Sequence, residues 1–200
     1  ATMSISATLQ VKVFLEGLFN PVNGEMNETK DFVNNEIVSK FTGSIVDVVG
    51  LELHPVGDYG TPVFSAEDVE LHQDGWATLL IPAEFSGDYY LTVKHRNHLE
   101  TVSAEPVSFA GTAVEYDFTT NRSRAYGDNQ KELAAGVYGV YAGDLNQDGF
   151  INIVDRDLIN NAFYNSQSGY VVEDINGDIF VTISDRDFAN NGFYSSIVVK

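Results

Sequence analysis

Oxygen-bearing side chains two residues apart crowd the last quarter of this sequence. Asp144, Asn146, Asp148, Asn152 and Asp155 are answered thirty positions later by Asp174, Asn176, Asp178, Thr182 and Asp185. Such side chains suit a hard cation: Ca²⁺ takes about six to eight oxygens, and a twelve-residue loop offers them from positions one, three, five, nine and twelve and from the main-chain carbonyl of position seven. Those seventh carbonyls belong to Phe150 and Phe180. Each loop gathers three carboxylates, whose mutual repulsion an ion relieves. Two Ca²⁺ sites are therefore expected, and folding of the C-terminal part should depend on them. Mg²⁺ fits less well, because it sheds water reluctantly and seldom accepts an all-protein cage. The alternative, a solvated acidic surface rich in turns, does not explain why the pattern recurs in register.

The repeat extends beyond the loops. GDLNQDGFINIVDRDLINNAFYNS from Gly143 returns as EDINGDIFVTISDRDFANNGFYSS from Glu173, matching also at Arg156, Asp157, Asn160, Asn161, Phe163 and Tyr164. Gly149 stands at the sharp turn of the first loop, whereas the second has Ile179 there. A β-branched residue at positive φ costs about 1 kcal/mol or more, so the second site should be distorted or weaker. Ile151 and Val181, at position eight, should pair across a short two-stranded contact and bury their side chains between the loops.

Asp rather than Glu closes each loop, and a helix-like segment follows each loop without a clear one before it. In this the segment from about 143 to 195 resembles the duplicated dockerin repeat. The resemblance implies two loop-helix units related by approximate two-fold symmetry. It also implies that Ile153, Val154, Ile183 and Ser184, at positions ten and eleven of the loops, read a cohesin-type partner.

The elements that must carry these loops lie upstream. TLQVKVFLE (8–16) alternates, with Leu9, Val11, Val13 and Leu15 on one face of an edge or first strand. Residues 20–43 space Phe32, Ile37, Val38 and Phe41 closer to helically, as in a long connection with one short helix. From Ser44 to Phe118 six or seven short strands alternate with Gly, Pro, Asp and Asn turns, the pattern of an antiparallel sandwich. TTNRSRAYGDNQKEL is polar and irregular. AAGVYGVYAG is apolar enough to pack against the repeat, which makes a fixed interface the expectation.

The strand SGDYYLTVKH and its surroundings resemble transthyretin-like or carboxypeptidase-regulatory sandwiches, and the Ig-like modules that precede dockerin-like repeats in large secreted bacterial proteins. That resemblance implies a spacer or stabiliser. The expected fold class is thus a mainly β sandwich (Ig-like or transthyretin-like) over residues 1–120, a linking segment over 121–142, and a small α-helical dockerin-like domain with two EF-hand-like loops over 143–200.

Composition narrows the function classes. Lys and Arg number 11 against 29 Asp and Glu, a net charge of −18. Acid dominates in both parts, with 20 acids and 8 bases up to residue 142 and 9 acids and 3 bases beyond it. Such a chain repels phosphate backbones and anionic membranes, so neither nucleic acid nor membrane insertion is expected. Cysteine is absent, which excludes disulfides and thiolate chemistry. The start lacks a basic stretch followed by an apolar core, and any export signal is expected to have been removed.

Lys94, His95, Arg96 and His98 form the one basic knot, but on a strand positions 95 and 98 point to opposite faces, so an ordinary exposed strand end is expected there. His54 and His72 have no visible partner, and no nucleophile elbow, HExxH helix or phosphate loop is present. A non-catalytic, secreted or cell-surface module pair is the expectation, docking to a cohesin-like protein or to its own upstream domains. The rival reading is a carbohydrate-binding module with a calcium-stabilised tail, in which Trp76, Tyr89 and Tyr90 stack on a polysaccharide.

Overall fold

The structure, a computed structural model, describes residues 7–193. Among these the strands are β1 (Ala7–Lys12), β2 (Phe19–Asn20), β3 (Glu25–Met26), β4 (Lys30–Val33), β5 (Glu36–Ser39), β6 (Ile45–Pro55) and β7 (Phe64–His72). They continue with β8 (Trp76–Ile81), β9 (Asp88–His95), β10 (His98–Val102), β11 (Val107–Ser108), β12 (Ala113–Asp117), β13 (Lys131–Ala134) and β14 (Val137–Gly139). Two short helices, α1 (Ile153–Tyr164) and α2 (Ile183–Gly192), follow. The chain is mainly β and sandwich-like, and no described helix is long and apolar enough to cross a membrane.

One large sheet runs β10-β9-β6-β7-β8-β1-β12, with β11 added against β9. β6 is the longest strand and pairs on both sides, with β7 and with β9. Its register against β7 shifts between Ile45 and Asp47 and between Val49 and Leu51, and such bulges sharpen the local twist. β7 meets β8 through the single registered pair Leu71↔Ala77. A sheet pinned there so lightly curls over, and its inner face closes on Leu9, Val11, Leu51, Leu53, Leu71 and Leu91, all buried.

Leu9, Val11, Val13 and Leu15 are all buried, as their alternation predicts. β1 is nevertheless interior, antiparallel to β8 on one side and parallel to β12 on the other, so it is not an edge. The span 20–43 holds no helix; it folds as two small hairpins, β2-β3 and β4-β5. Asn34 and Asn35 supply the reason, since both adopt positive φ (53° and 66°) and close a two-residue turn that sets Phe32 opposite Ile37. The spacing of those apolar residues is a cross-strand pair, not a helical face.

The polar stretch after β12 makes two 3-10 turns and then the β13-β14 hairpin. Val140 next forms a parallel bridge to Leu15, and Ala142 an antiparallel one to His98. The buried apolar cluster is continuous from β1 through Val140 and Ala142 to Ile151, Ile159, Ile175, Val181 and Ala189. The apolar AAGVYGVYAG segment thus delivers the repeat directly onto the sandwich. Tyr194, the repeat counterpart of Tyr164, lies outside the described residues.

Candidate metal centre

Both acidic repeats fold into the same loop, with matching hydrogen bonds from main-chain N–H groups to the first and last carboxylates. In the first, the Asp144 carboxylate accepts the Asp148 and Gly149 N–H groups at 3.2 and 3.1 Å. Asp155 closes the loop by accepting from Leu145 (2.9 Å), Asn146 (3.4 Å) and Asn152 (2.9 Å). In the second, Asp174 accepts from Asp178 and Ile179 at 3.2 and 2.9 Å. Asp185 accepts from Ile175 (2.9 Å), Asn176 (3.2 Å) and Thr182 (2.8 Å). Asn146 and Asn176 each donate to the carboxylate two residues on, Asp148 and Asp178, at 2.8 and 3.0 Å.

Each loop also starts its helix. Asn152 and Thr182 are the N-caps of α1 and α2, accepting from Val154 and Ser184, and Asp155 and Asp185 complete capping boxes. The residues at positions nine and twelve therefore have a structural occupation of their own. That occupation ties the shape of each loop to the start of its helix through main-chain N–H groups bound to the carboxylates.

The electrostatics are lopsided. Asp144, Asp155, Asp174 and Asp185 are all 1 % exposed or less, while Asp148 and Asp178 face solvent. Burial, then repulsion from Asp155 and Asp148, outweighs the backbone hydrogen bonds and pushes Asp144 up to about 6. Asp174 rises to about 7 for the same reasons, with Asp185 and Asp178 as the repelling neighbours and Arg96 in opposition. Burial also raises Asp185. Buried carboxylates that repel one another, with oxygen donors throughout, are a donor set suited to a hard cation. Among the described residues no three His, Cys, Asp or Glu side chains converge as a metal cage by themselves. A cation here would thus draw on the Asn146 and Asn176 amides, on Asn152 or Thr182, and on the Phe150 and Phe180 carbonyls as well.

Ile179 does adopt the strained backbone that its position predicts, with φ 79° against 84° at Gly149. A second left-handed position went unread in the sequence. Gln147 sits at φ 56° and its counterpart Gly177 at φ 71°, so each loop has one glycine for two such bends, at different places. Gly177 has a further reason to be glycine: a Cβ there would lie 2.9 Å from Thr29 Cγ2 and 3.0 Å from Leu18 Cδ2.

Ile151 and Val181 are buried, but no bridge joins them among the described residues; Phe180 pairs instead with Ser168. Ile151 packs on the second helix at Gly192 and beside Gly143, which directly precedes the first loop. The first loop thus meets the second helix through this side chain, a contact that strand-pairing logic does not anticipate.

The basic knot is not an exposed strand end. Arg96 and Asn97 form the tight turn between β9 and β10, which sets His95 opposite His98, so both rings lie on one side, buried, with their Nδ1 atoms 2.9 Å apart. His95 Nε2 stands 3.2 Å from Asp47 Oδ2. Burial alone would raise Asp47, but His95, Arg96 and the Tyr170 hydroxyl hold it below the usual carboxylate range. From the turn, Arg96 Nη2 donates to the Asp174 carbonyl at 3.2 Å and Nη1 to that of Val171. Asn97 Nδ2 donates to Val172 O at 2.9 Å and Asp174 O at 3.2 Å. His54 lies against Glu52 and Tyr59, and His72 against Ser44.

The aromatic trio does not assemble. Tyr90 is 2 % exposed, Tyr89 packs against Phe85 and Phe109, and Trp76 lies on β8 beneath the Lys12 ammonium, several strands away in the sheet.

No family model matches this chain, and no curated protein is similar enough in sequence to be matched. Solved structures are. A chain from the crystal structure of a C-terminal interface mutant of a type II Cohesin-X-Dockerin complex from Acetivibrio cellulolyticus is 22 % identical, with a TM-score of 0.51 over 94 % of this chain and 95 % of that one. A chain from an N-terminal interface mutant of the same type of complex is 20 % identical, with a TM-score of 0.50 over 95 % of this chain and 97 % of that one. At that identity the likeness is one of fold: this chain shares a mainly β, sandwich-like architecture with a component of type II cohesin–dockerin complexes.

Proposed function

We propose that this chain is a secreted, non-catalytic docking module of the cohesin–dockerin kind, and that it stands on the dockerin side: two Ca²⁺-binding loop-helix units carried on a stabilising sandwich. The observation that carries this reading is the matched pair of loops, each with a buried carboxylate at its first and last positions and an apolar residue displayed where its helix begins. Ile153 is 55 % exposed, Val154 51 % and Ile183 54 %. Apolar side chains held out on rigid helix starts are what a partner surface buries.

The similar complexes contain both cohesin and X-dockerin components, so the deciding experiment offers this chain each in turn. Calorimetric titration with a type II cohesin should give Ca²⁺-dependent binding, weakened at least about tenfold by Ile153→Asp together with Ile183→Asp. Because these side chains are exposed, the same changes should alter stability by no more than about 0.5 kcal/mol. Binding to a dockerin instead, untouched by those substitutions, would move the chain to the cohesin side.

A further inference from the structure

We infer that Asn97, on the sandwich, is a positioning residue for the second loop alone, holding the main chain of Asp174 so that its carboxylate can support the strained bend at Ile179. The inference rests on the reading of the loops as Ca²⁺ sites. Asn97 is fully buried, and its amide faces two ways: Nδ2 donates to the carbonyls of Val172 and Asp174, while Oδ1 lies 2.8 Å from His98 Nδ1.

The histidine pair fixes that orientation. His98 Nε2 accepts the Gly17 N–H at 3.2 Å, so in the neutral ring the proton sits on Nδ1, which then donates toward Asn97 Oδ1 and His95 Nδ1. With Oδ1 accepting, the amide NH₂ is turned toward the loop. Arg96 adds its own bonds to Val171 and Asp174, and Lys30 N–H donates to the Gly177 carbonyl at 2.9 Å. Asp174 Oδ2 in turn accepts the Ile179 N–H at 2.9 Å, at φ 79°. The loop that has lost its turn glycine is thus gripped by sandwich side chains at its entrance. The first loop is met there by main chain, Gly143 N–H donating to the Asn97 carbonyl at 2.8 Å, and by its own Gln147 reaching the His98 carbonyl at 3.4 Å.

Partners that orient a ligand without touching the ion typically carry about ten- to a hundredfold in metal affinity. The test is Ca²⁺ titration calorimetry on the full chain in two backgrounds, Asp144→Ala to read the second loop and Asp174→Ala to read the first. Asn97→Ala should weaken the second loop about tenfold and leave the first within about twofold. Arg96→Lys, which keeps the positive charge near the loop but loses the fork, should act in the same direction, so that charge is not the cause. Ile179→Gly should restore most of the affinity lost in Asn97→Ala, because glycine takes the bend without support. Trp76 emission reports whether each variant keeps its sandwich. A variant that loses it is replaced by Asn97→Ser and by amide exchange across 171–179 in the metal-free wild type, where slow exchange is expected and fast exchange would overturn the inference. Equal losses in both loops, or none, would overturn it too; absence of Ca²⁺ binding in the wild type would instead remove the metal reading on which it rests.

Discussion

The two loops share a hydrogen-bond plan but solve its backbone demands differently. The first puts glycine at position six and tolerates Gln147 at the left-handed position four; the second puts glycine at position four and tolerates Ile179 at position six. The exchange follows from surroundings. Position four of the second loop presses against Thr29 and Leu18 and has no room for a side chain. Ile179 is fully buried, so the apolar contact it makes offsets part of its strain. A repeat that looks damaged at one position is therefore a repeat adapted to lie against a sandwich.

Removing the ion should have the largest effect on this pair. On the calcium reading, each site at a thousandfold excess over its dissociation constant adds about 4 kcal/mol, or about 10 °C in melting temperature for a chain of this size. Calorimetric scans with Ca²⁺ and with chelator should differ by about 10 °C for each occupied site, and superimposable scans would leave both loops as mere turns. Gly177→Ala comes next. Strain and the close approach to Thr29 together should cost about 2 to 3 kcal/mol, against about 1 kcal/mol for Gly136→Ala, where a left-handed backbone (φ 73°) has open space around it. Equal losses in denaturant titrations would show that lack of space is not what demands glycine at position 177.

Acidity sharpens the comparison. Carboxyl groups whose pKa rises on folding favour the fold while protonated, so their contribution is complete below the ordinary Asp value near 3.8 and fades as pH climbs through about 6 for Asp144 and about 7 for Asp174. The metal-free protein should melt higher at pH 5 than at pH 8. Ca²⁺ requires the deprotonated groups, so affinity should fall on acidification, and in the second loop first. A second loop that held Ca²⁺ to lower pH than the first would contradict this order. The smallest effect is expected of Ile179→Gly: about fivefold tighter Ca²⁺ in the second loop from released strain of about 1 kcal/mol, with a lower melting temperature from the lost side chain. Unchanged affinity would show that the bend at Ile179 does not limit the site.

Much of this was legible beforehand because the signals are local. Period-two alternation gave Leu9 to Leu15 their buried face, turn residues bounded the strands from Ser44 onward, and residue spacing marked two matching acidic loops, each leading into a helix. The misses are of another kind. The hairpin at Asn34–Asn35 was hidden because a cross-strand pair imitates helical spacing. His95 and His98 were assigned opposite faces because the two-residue turn between them was not recognised, although Arg96-Asn97 between two histidines is its only local sign.

The sequence by itself determined the repeated oxygen donors, the strain at Ile179 and the strand alternation, since these depend on residue type and spacing within a few positions. Only the tertiary structure decided that β1 is interior, that Gly177 is needed for lack of space, that the aromatic trio is dispersed, and that Asn97 reaches Asp174 from seventy-seven residues away. Those outcomes depend on which distant surfaces exclude water together, and no local pattern encodes them.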